Sequence, residues 1–340
     1  MSVSHPYISV IVPVYNGSKF IGRCLDALMS STYSSYEILV VNDGSTDDTE
    51  AICKAKGVML MQSERPRSGP AAVRNFASLH TRGEILMFVD ADVVAASDAI
   101  EKVAACFEGD PKLSAVFGSY DDSPDERNFL SQYKNLQHHF VHQNSSREAS
   151  TFWAGLGAVR ADVFRSIGRF DEVQFAIPSI EDIELGTRLR RAGHPILLDA
   201  TIQGKHLKRW DVGSLLRTDI FCRAVPWSRL ILTSQGLVND MNLKTNDRAC
   251  AALVAVMILL VPLSIWQPLT LLGVLMALVL FVYLNRSIFL FFVKNKGWLF
   301  AAMTLPWQLL YFLYSGTVFV ACWIIYALPA AIGSLRREIS

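Results

Sequence analysis

The chain has 340 residues, 51% of them apolar, and a formal net charge of +1. That length accommodates one large domain and a second element, and the near balance of charge gives no cationic excess for a nucleic-acid partner. Six cysteines, Cys24, Cys53, Cys106, Cys222, Cys250 and Cys322, lack paired or metal-type spacing, which argues against a disulfide framework and fits reduced thiols in a cytosolic setting.

Ile8 to Val14 reads as a buried strand closed by a turn at Asn16-Gly17, and Phe20, Leu25 and Leu28 begin a helical pattern. Tyr7 to Val14 is short, is interrupted by Pro6 and Pro13, and lacks the layout of a secretory signal. A second strand, Tyr36 to Val41, ends at Asn42-Asp43-Gly44-Ser45, a turn followed by helix-capping residues, and Val58 to Met61 is a third. Strands alternating with helices predict a mostly parallel sheet with helices on both faces, whose ligands bind at the C-terminal strand ends. Ser68-Gly69-Pro70 opens a helix carrying Arg74 and Asn75. Its N-terminus suits an anion, and it reads equally as a capped surface helix.

Ile85 to Val89 is a continuous apolar run, as a strand covered on both faces requires, and it delivers Asp90 and Asp92 to its end. Carboxylates at i and i+2 of an extended backbone point the same way and repel, unless a cation or water stands between them. A hard divalent ion that also grips a phosphate meets that need; a solvated turn capping a helix is the other reading.

Pro13-Val14-Tyr15-Asn16, Asn42-Asp43-Gly44-Ser45, Gly69 to Asn75 and Asp90-Ala91-Asp92, in that order, resemble the motif series of family 2 glycosyltransferases with the GT-A fold. The resemblance covers roughly residues 7 to 225 and implies an α/β domain, a Rossmann-like sheet flanked by helices. It further implies that Pro13, Tyr15 and Asp43 hold the nucleoside of a sugar nucleotide, with uridine diphosphate expected. Arg74, Asn75 and Asp90 then lie near the donor, and Asp92 binds Mg²⁺ or Mn²⁺ bridging the diphosphate. A divalent ion is suited to the charge that develops on such a leaving group.

From Asn128 to His142, Phe129, Tyr133, Leu136 and Phe140 share one helical face, which fits a packing helix or an acceptor-side or membrane-facing one; His138, His139 and His142 read as polar, solvated positions and not as metal ligands. The small residues after Trp153, Gly155 among them, permit close backbone approach to a ligand. The segment resembles the family's acceptor side, although it lacks an asparagine that many members have there. Gly168 to Glu172 continues as a structural turn. Glu181 to Gly193 reads as an amphipathic helix with acids in its first turn, a placement the helix dipole alone favours. The resemblance is more specific: Asp182 aligns with the aspartate that acts as general base in inverting transfer, and Glu181 falls on the acceptor side.

A strand over Ile196 to Asp199 precedes Gly204-Lys205-His206-Leu207-Lys208-Arg209-Trp210, which is either a solvated cationic patch or a diphosphate clamp. The resemblance assigns His206 to the metal or diphosphate, and Lys205, Lys208 and Arg209 to the donor diphosphate. The glutamine of the family's processive Gln-x-x-Arg-Trp segment is absent, so polymerisation is not implied.

The expected domains are a catalytic domain over 1–225, an interfacial linker over 226–248 and a helical membrane domain over 249–340. No charged residue occurs from Ala249 to Asn285, and Trp298 to Gly333 is a second apolar block; about 20 apolar residues span the hydrocarbon core. The expected layout is a hairpin, Ala249 to Trp266 and Leu269 to Asn285, a short amphipathic piece, and two crossings within 298–333 broken near Pro306 or Gly316. Arg286, Lys294, Lys296, Arg336 and Arg337 then face the cytoplasm, as does the catalytic domain of this multi-pass inner- or plasma-membrane protein. The expected activity is inverting transfer of a hexose to a hydroxyl of a lipid or lipid-linked glycan. Polyprenyl-phosphate transfer is the alternative, because a phosphate monoester, with its second pKa near ~6, needs little help from a base. A nucleotide-binding scaffold and a transporter are the remaining readings; the apolar blocks lack the acid or base a coupled transporter uses.

Overall fold

The computed structural model describes residues 5–235, 241 and 244–327. The chain divides into two compact units, Met1–Asp211 and Val212–Ser340.

The first unit contains, in order, β1 (Ile8–Val14), α1 (Ile21–Met29), β2 (Tyr36–Asn42), α2 (Thr49–Lys56), β3 (Met59–Gln62), α3 (Gly69–Leu79), β4 (Ile85–Val89), β5 (Val93–Ala95), α4 (Ala99–Gly109), β6 (Ala115–Tyr120), α5 (Phe129–Gln143), β7 (Leu156–Arg160), α6 (Ala161–Ser166), α7 (Glu181–Arg191) and β8 (Ile196–His206). The strands form one eight-stranded sheet in the order β3-β2-β1-β4-β7-β6-β8-β5. β1 to β4 are parallel, whereas β7 runs antiparallel to both β4 and β6, so the sheet is mixed. Every residue of β4 is buried, which is why its sequence is uninterrupted Ile-Leu-Met-Phe-Val. One side joins the aliphatic core under α1 and α4. On the other, Phe88 meets Phe152, Phe164 and Phe170 with ring centroids 6.5, 5.5 and 5.3 Å away.

Strand direction builds the site. Because β7 is antiparallel, its first residue, Leu156, pairs with the last of β4, Val89, and residues 153–155 are carried to the aspartate turn. β8 is longer than the expected Ile196 to Asp199 and runs to His206, the residue that pairs with Val93 at the start of β5. The cationic segment from Gly204 therefore begins as strand, because β5 gives its backbone a hydrogen-bonding partner.

The α5 helix corrects another expectation. His139 and His142 are buried, not solvated, and their Nδ1 atoms lie 2.6 and 3.0 Å from the carbonyl oxygens of Tyr120 and Gly118. The amphipathic pattern misses this because the buried face of α5 is lined with polar groups satisfied by β6.

In the second unit, α8 (Val212–Arg217) continues through wider helical turns into α9 (Val225–Leu230), followed by α10 (Thr245–Leu263), α11 (Thr270–Leu284), α12 (Arg286–Lys296) and α13 (Trp298–Cys322). Two helices, Thr245–Leu263 and Trp298–Tyr326, are long and apolar enough to cross a membrane, with mean hydropathies of 1.7 and 1.8. The expected break at Pro306 or Gly316 does not occur: α13 passes through both without interruption. An added Cβ at Gly316 would stand 3.5 Å from the Ala251 Cβ, so the glycine serves ordinary packing and not a turn, and apolar helices tolerate an internal proline. α11 ends at Leu284 and α12 leaves it at 67°, within the bounds expected for the second arm of the hairpin and the short amphipathic piece after it; by length there are two candidate spans among the described residues, or three if the bent pair counts as one. The tail cations Arg336 and Arg337 lie outside the described residues.

Candidate active site

The main chain of residues 154–155 links the two acidic motifs. The Asp90 amide donates to the Gly155 carbonyl at 3.1 Å, and the Ala154 amide donates to Asp182 Oδ2 at 3.0 Å. The aspartate turn and the start of α7 thus meet on adjacent residues of one segment. Gly155 permits this: a Cβ there would stand 2.6 Å from the Trp153 ring, which folds over it. Trp153 in turn packs edge-on to Tyr120, with centroids 4.8 Å apart.

A second link passes through Arg74. Buried in α3, its guanidinium bridges Asp90 Oδ1 at 2.6 Å and Glu181 Oε1 at 2.9 Å. Sequence reasoning placed Arg74 beside the donor; its charge is instead spent between the two acidic motifs. Asn75 is likewise engaged, donating to the Phe170 carbonyl and the Glu172 carboxylate at 2.9 and 2.7 Å.

Asp90 and Asp92 diverge from their turn. Asp90 faces Arg74, whereas Asp92 Oδ2 lies 3.4 Å from His206 Nε2. Burial and the Asp92 charge push the Asp90 carboxyl up against the pull of Arg74. Burial acts on Asp92 in the same sense, but His206 and then Lys208 outweigh it and hold Asp92 below the usual carboxylate range. Asp182 is the opposite case: burial first, then the Glu181 carboxylate, push it up to about 7, although the Ala154 amide and Arg74 pull it down. A carboxylate that titrates near neutrality is suited to take a proton at physiological pH.

Asp92 and His206 fit a hard divalent cation. Two ligands about 2.1 Å from one ion at right angles lie about 3 Å apart, close to the observed separation. Among the described residues no cluster of three or more His, Cys, Asp or Glu side chains with metal-binding geometry occurs. Such an ion, held by one or two protein groups, keeps positions for phosphate oxygens and water.

At the ends of β1 and β2, the Tyr15 ring is 41% exposed and lies under the Arg67 guanidinium, 5.3 Å from the ring centroid. Pro13 pairs with Val41 inside the sheet. Asp43 is buried and works on the loop before α3, accepting from the Ser63 hydroxyl at 2.8 Å and from the Ser68 and Gly69 amides at 3.0 Å each. The three expected cations separate. Lys205 pairs with Asp121 at 2.9 Å and Arg209 with Glu126 at 3.4 Å. Lys208 stands 4.2 Å over the Trp210 ring and is the one whose charge is felt at Asp92. A cleft of about 510 Å³ lined by Asn75, Phe170, Glu184 and Arg188 contains none of Asp92, Asp182 and His206 and is not the reaction centre.

Two neighbours escaped sequence reasoning. Tyr120 stacks on the His206 ring, with centroids 4.3 Å apart and planes 9° apart, and Asn135 Oδ1 lies 2.7 Å from His206 Nδ1. The available signal was the spacing of Ser131, Asn135, His139 and His142, a polar stripe along one helical face.

The approach of α7 rests on Gly186, where a Cβ would stand 2.2 Å from the Phe152 backbone nitrogen. Gly186→Ala is expected to lower the thermal midpoint, with a cost of about 1–3 kcal/mol for overpacking against backbone, measured by thermal unfolding of the purified chain.

The mixed sheet flanked by helices, with a carboxylate turn at its edge and a facing acidic helix start, has the GT-A fold. The family model described as Glycosyl transferase family 2 matches residues 9–168, and the chain carries a family 2 glycosyltransferase domain. It is 29% identical to glycosyltransferase AglE of Haloferax volcanii over 224 residues, covering 64% of this chain and 72% of that protein. It is 40% identical to GlyA of Streptococcus pneumoniae serotype 4 over 97 residues, covering 28% of this chain and 14% of that protein, and in GlyG of the same organism the match spans 38% of the relative. Among solved structures, S. aureus TarS 1-349 in complex with UDP-GlcNAc superposes with a TM-score of 0.51 at 20% identity, covering 68% of each chain. The Pyrobaculum calidifontis mannosyltransferase PcManGT in complex with GDP-Man and Mn²⁺ does so at 0.50 and 17%, covering 95% of this chain and 87% of that one.

Proposed function

We propose that this glycosyltransferase acts by a metal-dependent, inverting mechanism, moving a hexose from a uridine diphosphate sugar to a hydroxyl of a lipid or lipid-linked glycan. The observation that carries the reading is the pairing of Asp92 with His206 at one sheet edge and the tie of Asp182 to the same edge through Ala154 and Gly155. Asp182 takes the proton of the acceptor hydroxyl, whose oxygen attacks the anomeric carbon opposite the nucleotide. Asp92 and His206 would hold Mg²⁺ or Mn²⁺, which would supply Lewis-acid stabilisation of the leaving diphosphate's charge. Lys208 adds a cation there. Tyr15 offers its ring face to the base, Pro13 and Asp43 shape that end, and Arg74, Asn75 and Asp90 keep the donor side in place. Trp153, Gly155 and Glu181 form the acceptor side.

The choice of a hydroxyl follows from Asp182. A phosphate acceptor is already anionic near neutral pH, whereas a hydroxyl requires the base that a carboxyl near about 7 supplies. A lipid-linked acceptor is supported by the two or three helices apolar enough to span a membrane, and the cations Arg286, Lys294 and Lys296 favour a cytoplasmic catalytic unit. The complexes of TarS with UDP-GlcNAc and of PcManGT with Mn²⁺ support the donor and metal readings.

Incubating the purified protein with a panel of nucleotide sugars and Mn²⁺, without acceptor, tests this. The expected result is slow hydrolysis of a uridine diphosphate sugar that ceases on chelation with EDTA. Nucleotide binding with no hydrolysis of any sugar would favour the scaffold. Tyr15→Ala is expected to weaken uridine diphosphate binding by the worth of one stacked base, about 1–3 kcal/mol, read by titration calorimetry.

A further inference from the structure

We infer that Asn135 is a positioning residue for the metal: its amide oxygen keeps a proton on His206 Nδ1, so that Nε2, which faces Asp92, is the nitrogen open to the ion. The inference rests on the reading of Asp92 and His206 as metal ligands and adds a residue from a different element, α5, that touches neither donor nor ion. Three observations carry it. Asn135 Oδ1 and His206 Nδ1 are 2.7 Å apart and both side chains are buried, so water does not compete for the contact. The Tyr120 ring lies flat on the imidazole, 9° from parallel, which removes the rotation that would exchange the two ring nitrogens. Nε2 then faces Asp92 Oδ2 at 3.4 Å.

The chemistry is specific about direction. An amide oxygen is an acceptor only, so the ring carries a proton on Nδ1 whether or not Nε2 is also protonated, and Nε2 is the nitrogen that gives up its proton to a cation. Asn135 Nδ2 is buried with no hydrogen-bond partner among the described residues. Leaving an amide N–H₂ unpaired is costly, and a core packed only for stability has no use for it. Were the amide reversed, Nδ2 would donate to Nδ1, the proton would move to Nε2, and the ring would donate to Asp92 in place of an ion. The two orientations therefore correspond to a metal-ready site and a closed one, and the placement of Oδ1 toward the ring marks the former.

The test uses the full chain in detergent, labelled with ¹⁵N-histidine, together with Mn²⁺ titration followed by electron paramagnetic resonance. Without metal, long-range ¹⁵N correlations of His206, assigned by its loss in His206→Ala, should show a proton on Nδ1, with or without one on Nε2, and with Mn²⁺ replaced by diamagnetic Mg²⁺ the Nδ1 proton alone. Asn135→Leu should weaken Mn²⁺ binding by roughly 10- to 100-fold, the usual effect of losing such an outer partner, and should lose the Nδ1–H signature. Asn135→Asp, nearly isosteric and still an acceptor, should restore both to within a few fold of the parent. An Nε2–H tautomer in the parent, unchanged Mn²⁺ affinity in Asn135→Leu, or failure of Asn135→Asp to rescue would each overturn the assignment. Mn²⁺ binding that His206→Ala leaves intact would instead overturn the metal reading beneath it.

Discussion

Asp182→Asn is expected to lower turnover by about 10²–10⁴-fold, the range attributable to a positioned general base, while calorimetric affinity for uridine diphosphate stays at the parent value. Asparagine keeps one acceptor oxygen, enough for the Ala154 amide that donates to Asp182 Oδ2 at 3.0 Å, so the junction with the aspartate turn survives, whereas the bond of the adjacent Ile183 amide to Oδ1 at 2.8 Å is lost along with the proton-accepting group. The pH dependence gives the second readout. A base whose carboxyl is raised to about 7 is protonated and idle in acid, so activity should rise with pH through that region in the parent, and the residual rate of the variant should not follow this limb. Stability moves the other way. A carboxyl raised above its unfolded value of about 3.9 favours the folded state least once ionised, so its contribution falls as pH climbs from there through about 7. The difference in thermal midpoint between Asp182→Asn and the parent should therefore move in favour of the variant between pH 4 and pH 8. A variant that retains parental turnover would remove Asp182 from the role.

Arg74→Leu should be the most damaging single change to the fold around the site. The guanidinium is 3% exposed and holds Asp90 at 2.6 Å and Glu181 at 2.9 Å. Leucine fills much of the volume but leaves the buried Glu181 carboxylate unpaired beside a partly exposed Asp90, and removing the partner of a buried charge costs about 3–5 kcal/mol, an upper bound here because water reaches Asp90. Thermal unfolding should show that loss, and turnover should fall with it because the aspartate turn and α7 are no longer tied. Arg74→Lys separates charge from geometry. An ammonium cannot present the planar fork that reaches both carboxylates, so it should recover part of the stability and little of the activity. If Arg74→Lys were fully active, the guanidinium would be a counter-charge only.

Several site residues lay open in the sequence because local chemistry dictates them. The apolar run Ile85 to Val89 requires a central strand, and a strand that ends in Asp-Ala-Asp puts its acids at the sheet edge. The acids opening α7 and the basic residues closing it are placed by the helix dipole. What escaped depends on partners distant in the chain. The role of Arg74 requires Asp90 and Glu181, the latter 107 residues away, and nothing near Arg74 tells a donor ligand from a buried bridge. Lys205 and Arg209 read as phosphate cations in sequence, and their pairing with Asp121 and Glu126, more than 80 residues away in the chain, is visible only in the fold. The same limit governed the apolar C-terminal region: hydropathy located the helices, but whether Pro306 and Gly316 break one depends on how its neighbours pack.

Residue order alone determined the parallel start of the sheet and the placing of the acidic groups, because these follow from periodicity and side-chain chemistry within a dozen residues, while the family was legible as a resemblance in the order of its motifs. Tertiary structure alone decided which of those groups meet. The reversal of β7 brings Gly155 to Asp90, and the pairing of Val93 with His206 sets the imidazole beside Asp92. Strand direction and register are fixed by burial and hydrogen bonding between segments far apart in the chain, and no local pattern encodes them.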